Sequence, residues 1–124
     1  MERSDALLFY QKAVAMTPGV ELKGDTMPYT SLNGHMFSVL HKDGTLALRL
    51  PAAERAAFLK KFRTTLASQY GIVQPEYVVV PDGLLRKTRE LHAHLEISRE
   101  YVGSLKPKPT TRNRKSPSAK KKPG

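Results

Sequence analysis

The sequence predicts an α+β domain: one antiparallel sheet of about five strands, with helices packed on one of its faces in a two-layer arrangement. Three observations predict it. Short apolar-alternating segments between residues 20 and 50 are separated by Asn33-Gly34 and Asp43-Gly44, the dipeptides of tight hairpin turns. Helix-period apolar patterns lie on either side of that block. Of the 49 hydrophobic residues, 48 precede Lys106, so one core forms from residues 1–105, and the segment after it buries nothing. The expected order is α-β-β-β-β-α-β-α.

Ser4-Asp5 reads as a helix cap, and Leu7, Tyr10 and Val14, with Leu8 and Ala15 beside them, form the face of a first helix that Pro18-Gly19 stops near Met16. Strands are expected at Val20–Lys23, Met27–Leu32, His35–His41 and Thr45–Leu50. In the last of these, Leu46, Leu48 and Leu50 share one face, and Thr45, Ala47 and Arg49 the other. Pro51-Ala52-Ala53-Glu54 opens a second helix, with Ala56, Leu59, Phe62 and Leu66 as its stripe and Phe58 alongside. Gly71 and Pro75 bracket a loop around Ile72-Val73, and Glu76–Val80 is a β-branched strand closed by Pro81-Asp82-Gly83. From Leu84 to Leu105, Leu84, Thr88, Leu91, Leu95, Ser98, Val102 and Leu105 recur at four-three spacing. They describe a long helix, or a short turn feeding one.

Charge divides the chain as sharply as hydropathy does. There are 21 basic and 11 acidic residues, a net +10. Eight of the bases (Lys106, Lys108, Arg112, Arg114, Lys115, Lys120, Lys121 and Lys122) lie in the last nineteen residues with no acid among them, leaving 13 against 11, or +2, before Lys106. Lys106-Pro107-Lys108-Pro109 is stiff and extended, and residues 110–124 have the composition of a disordered polyanion-binding arm. That arm has no aromatic residue. Contacts to DNA or RNA would therefore reach phosphates without base stacking, with Arg49 and Arg99 as candidate extensions on the domain. The alternative is a protein–protein module, able to pair with a second copy through the open sheet face or the last helix, with no nucleic-acid role. Mass in solution decides whether it dimerises.

The remaining chemistry is excluded by geometry or absence. With no cysteine, disulfides, thiolate metal sites and cysteine nucleophiles drop out. His92 and His94 stand about 200° apart on a helix, and His35 and His41 roughly 20 Å apart on a strand, so neither pair chelates one ion. Glu96 and Glu100 share a helix face but are interleaved with Arg99 and Arg89, and Glu90 sits four residues after Arg86, the mixed-sign pattern of a solvated helix face. No phosphate-cradling glycine loop or nucleophile elbow occurs. A protein with no catalytic residue, cofactor, metal or small-molecule substrate is expected. No apolar run spans a membrane and no export signal opens the chain, so a cytoplasmic location is expected.

The domain resembles the N-terminal domain of the TfoX/Sxy family, small α+β proteins grouped by fold with YjbR-like and secretion-chaperone-like domains. The residues that carry the resemblance are Pro18-Gly19 with Lys23 and Met27, the turn Asn33-Gly34-His35-Met36-Phe37, and Asp43-Gly44 with Leu46, Leu48 and Arg49. Arg55, then Tyr77-Val78-Val79-Val80-Pro81 with Leu84 and Leu85, and finally Ser98 and Tyr101 continue it. Met27-Pro28-Tyr29-Thr30 departs from the family pattern, and the basic tail stands where its competence regulators carry a second helical domain. The resemblance implies the fold, no catalytic residues, and an accessory or regulatory role connected with transcription.

Overall fold

The computed structural model describes residues 1–107. It is an α+β fold: a five-stranded antiparallel sheet with helices packed against it. The helix α1 spans Arg3–Ala15, β1 Tyr29–Leu32, β2 His35–Leu40, β3 Leu46–Arg49 and α2 Ala52–Phe62. Next come β4 Leu66–Gln69, β5 Ile72–Val79, the short α3 Asp82–Leu85, and α4 Thr88–Gly103. The sheet order is β1-β2-β3-β5-β4, with every neighbouring pair antiparallel.

Cross-strand pairing assigns residues to the two faces. Thr30, Ser38, Leu48, Val78 and Leu66 form one row, directly opposite one another from strand to strand. This row faces the helices, and the large core built on it includes Tyr10 of α1 together with Leu46, Leu48 and Leu50, the face expected of β3. Between Thr30↔Ser38 and Ser31↔Met36 the register slips, leaving Phe37 with no partner. A bulge of this kind re-aims side chains, and here Phe37 joins the helix-side core while Met36 joins a smaller cluster on the other face. Asn33 and Gly34 both have positive φ (56° and 82°), as a two-residue hairpin turn requires.

Where sequence and structure differ, nonlocal pairing is the reason. Val20–Lys23 is not a strand; only Lys23 bridges, exchanging both backbone hydrogen bonds with Tyr29 at 2.9 Å. The fifth strand comes instead from β4. α2 ends when Arg63 turns left-handed (φ 51°), so Leu66 leaves the helical stripe and pairs with Val78. Ile72-Val73, expected in a loop, are the first residues of β5. Pro75 fits there because residues 74–77 lie opposite the single residue Ala67, an irregular stretch where a missing N–H costs no ladder bond. α1 begins one residue before Ser4, with no side-chain cap; it buries Ala6, Tyr10, Ala13 and Val14 and leaves Leu8 exposed.

The sheet curls. Gln69, on the β4 edge, donates to Met27 Sδ at 3.1 Å, although Met27 precedes β1 at the opposite edge. Val39, Ala47 and Ala67 are thereby buried with Met27, Tyr29, Met36, Tyr77 and Val79 packed around them. The face away from the helices is thus partly closed by the sheet's own edges. The stripe of α4 is also occupied, because Leu91, Leu95, Ser98 and Val102 are buried within the fold. Among the described residues no helix is long and apolar enough to cross a membrane.

Candidate functional site

Of the eight basic residues expected to form a nucleic-acid interface, only Lys106 is described. Its side chain is exposed, and its carbonyl lies 2.9 Å from His35 Nε2, which ties the root of the basic segment to the β1–β2 turn. Lys108, Arg112, Arg114, Lys115, Lys120, Lys121 and Lys122, and with them the expected disorder, lie outside the described residues. The two candidate extensions are not brought together. Arg99 pairs with Glu96 one turn earlier on α4 (3.3 Å), whereas Arg49 lies at the end of β3. Arg49 meets α4 at Tyr101, two residues from Arg99 and so about 200° around the helix.

Arg49 belongs to a cluster assembled by three elements. Its Nε donates to Glu76 Oε1 at 2.7 Å, and Tyr101 Oη, on the last turn of α4, donates to Glu76 Oε2 at 2.9 Å. The guanidinium lies 5.6 Å from the centre of the Tyr101 ring, within cation–π range. Burial alone would raise the Glu76 carboxyl, but hydrogen bonds from Arg49 and Tyr101, with the charges of Arg49 and Arg55, outweigh it and hold the pKa below the usual value. Burial pushes the neighbouring Tyr77 phenol up to about 12, and its Oη donates to the Met36 carbonyl at 2.8 Å. Burial and the bond to Glu76 also raise Tyr101. A cavity of about 510 Å³ opens beside the cluster, lined by Arg49, Val73, Gln74, Pro75, Glu76 and Tyr77. The carboxylate stays charged and both phenols stay protonated at neutral pH, so the cluster is a hydrogen-bonded ion pair.

The histidines go to separate neighbours. His92 Nδ1 lies 3.0 Å from Thr17 Oγ1, while His94 packs edge-on against Phe58 and Phe62, beside a cavity of about 200 Å³ that all three line between α2 and α4. Among the described residues no three His, Cys, Asp or Glu side chains gather as metal ligands. Burial and then the charge of Lys61 lower the His94 pKa, against weaker opposing effects of Glu90 and Glu54. The unfolded chain, with an ordinary value near ~6.5, therefore takes up this proton first as pH falls. The His94 contribution to stability is complete above that value and declines as pH drops from it toward the lower folded value. Urea unfolding at pH 7.5 and pH 5 should show this decline, and His94→Phe should remove part of it; identical pH profiles for the two proteins would refute it.

The β4–β5 hairpin is the surface feature that the sequence did not disclose. Its turn residues Tyr70 and Gly71 both have positive φ (55° and 75°), the conformation of a two-residue hairpin turn, but Tyr replaces the usual Asn or Asp, so the usual signal is missing. Tyr70, Ile72 and Val73 are exposed. Between this tip and the β2–β3 turn lies a cleft of about 180 Å³, lined by His41, Lys42, Asp43, Ser68, Gln69 and Tyr70. No family model matches the chain, and neither a curated protein nor a solved structure matches it, so the TfoX-like resemblance rests on the turn and core residues named above.

Proposed function

We propose that this is a non-enzymatic accessory or regulatory protein, of the kind the TfoX-like resemblance implies, that holds nucleic-acid phosphates through its basic C-terminal segment. The observation that carries this reading is the partition of charge. Before Lys106, 13 bases are nearly balanced by 11 acids, and Arg49, Lys87 and Arg99 are each paired with a glutamate. The segment from Lys106 to Gly124 holds eight cations and no acid to pair with them. Lysines and arginines release counterions when they meet phosphates, and the affinity gained is independent of sequence. The protein-interaction reading loses one of its two surfaces, since the α4 stripe is buried in the core; the exposed Ile72 and Val73 remain in its favour.

Truncation after Pro107 tests the proposal while keeping every described residue, including the Lys106 carbonyl that meets His35. If about six of the removed charges meet phosphates, log K for duplex DNA falls against log salt with a slope of roughly −5 in the full chain and becomes shallow in the truncated one. Equal salt dependence in both forms, or no binding by either at low salt, overturns it.

A further inference from the structure

Tyr70 is placed at a cost to the backbone and without return to the core. Positive φ disfavours a bulky side chain, and a hairpin turn of this type prefers asparagine or glycine there. Yet Tyr70 is 80 % exposed and belongs to neither apolar cluster. It lines a cleft together with His41, Lys42, Asp43, Ser68 and Gln69. Lys42 is exposed and makes no ion pair among the described residues. Asp43, the acid of the cleft, is engaged by its own turn, where Oδ1 accepts from Thr45 N at 2.9 Å. His41 is 5 % exposed, and its Nε2 is buried with no partner among the described residues. An aromatic side chain beside a cation and a hydroxyl matches a base with its adjoining phosphate.

We propose that Tyr70 is a stacking platform for an unpaired nucleobase and that Lys42 and Ser68 receive the phosphate next to it, so that the protein prefers single-stranded nucleic acid. This rests on the phosphate-binding reading above and supplies what the basic segment lacks, since residues 106–124 contain no aromatic side chain. Stacking needs an unpaired base because the faces of bases in a duplex are covered by their neighbours. An anionic lipid surface is the poorer occupant: Ser68, Gln69 and Gln74 flank the apolar tip and, with Lys42 and Asp43, would lose water on insertion.

The experiment uses the full chain, with a labelled oligothymidylate and a duplex of equal length titrated across several salt concentrations. Tyr70→Asn keeps the turn, because asparagine tolerates positive φ, and removes the ring; Tyr70→Phe keeps the ring. Tyr70→Asn should bind the oligothymidylate roughly 5- to 100-fold more weakly at an unchanged salt slope, with Tyr70→Phe close to the original protein and duplex binding unaffected by either. Replacing Lys120, Lys121 and Lys122 by serine should instead lower the salt slope on both ligands. Equal single-strand affinity for Tyr70→Asn and the original protein, with salt-dependent duplex binding intact, overturns the stacking site and leaves the basic segment's role standing. Failure of the original protein to bind either nucleic acid at low salt overturns both. Loss of binding to phosphatidylserine vesicles in Tyr70→Asn, with none on the oligothymidylate, assigns the tip to lipid and overturns the site.

Discussion

Leu48→Ala is expected to lower the unfolding free energy by about 2–5 kcal/mol, a large fraction of the roughly 5–15 kcal/mol available to a domain of this size. Leu48 is fully buried at the centre of the sheet, opposite Ser38 on one side and Val78 on the other, on the face the helices cover. Removing its outer carbons loses their transfer free energy and leaves a cavity that the strands, held in register on both sides, cannot close. Urea unfolding followed by circular dichroism measures it, with the midpoint falling by roughly 1–3 M at a typical slope. Leu8→Ala is the matched control, since Leu8 is 55 % exposed on α1 and its truncation should change stability by less than about 0.5 kcal/mol. Similar losses for both leucines would mean that the core does not lie between the sheet and the helices.

Ser38→Ala should cost about 2–4 kcal/mol, far more than the loss of one hydroxyl suggests. Ser38 Oγ lies 2.6 Å from Tyr10 Oη and 2.5 Å from Thr30 Oγ1, and all three residues are buried. The chain of hydroxyls joins α1 to two strands through the middle of the core. Without Ser38, both remaining hydroxyls lose that partner in a site closed to water, and each unsatisfied group costs about 1–3 kcal/mol. Burial already drives the Tyr10 phenol well above its ordinary value, so ionisation offers no escape. Tyr10→Phe should cost less, about 1 kcal/mol, because the Thr30–Ser38 contact survives it. Chemical denaturation of the two single variants and the double variant gives the coupling; an additive result would show that the three hydroxyls do not act as one network.

The part of the candidate site carried by composition was legible without coordinates, and the part carried by contact was not. The excess of bases after Leu105 is a property of the sequence itself. That Arg49 spends its charge on Glu76, and that Tyr101 completes the pair, depends on residues 27 and 25 positions apart, which no local pattern connects. Tyr70 was hidden for a related reason. Its turn uses an aromatic where asparagine would signal a hairpin, and Leu66 continues the helical stripe of α2 even though the helix ends at Arg63.

Local regularities thus determined the α+β class, the Asn33-Gly34 turn, the inward face of β3 and the separation of a nearly neutral domain from a basic segment. Each arises from residues within a few positions of one another, where turn geometry and the two-residue period of a strand act directly. Tertiary structure decided the rest: which segment became the fifth strand, how far the sheet curled, which arginine was neutralised and which face of α4 was consumed. These depend on pairings between distant segments, where the hydrophobic gain of closing a core outweighs local preference and the same stripe that could join two chains is buried within one.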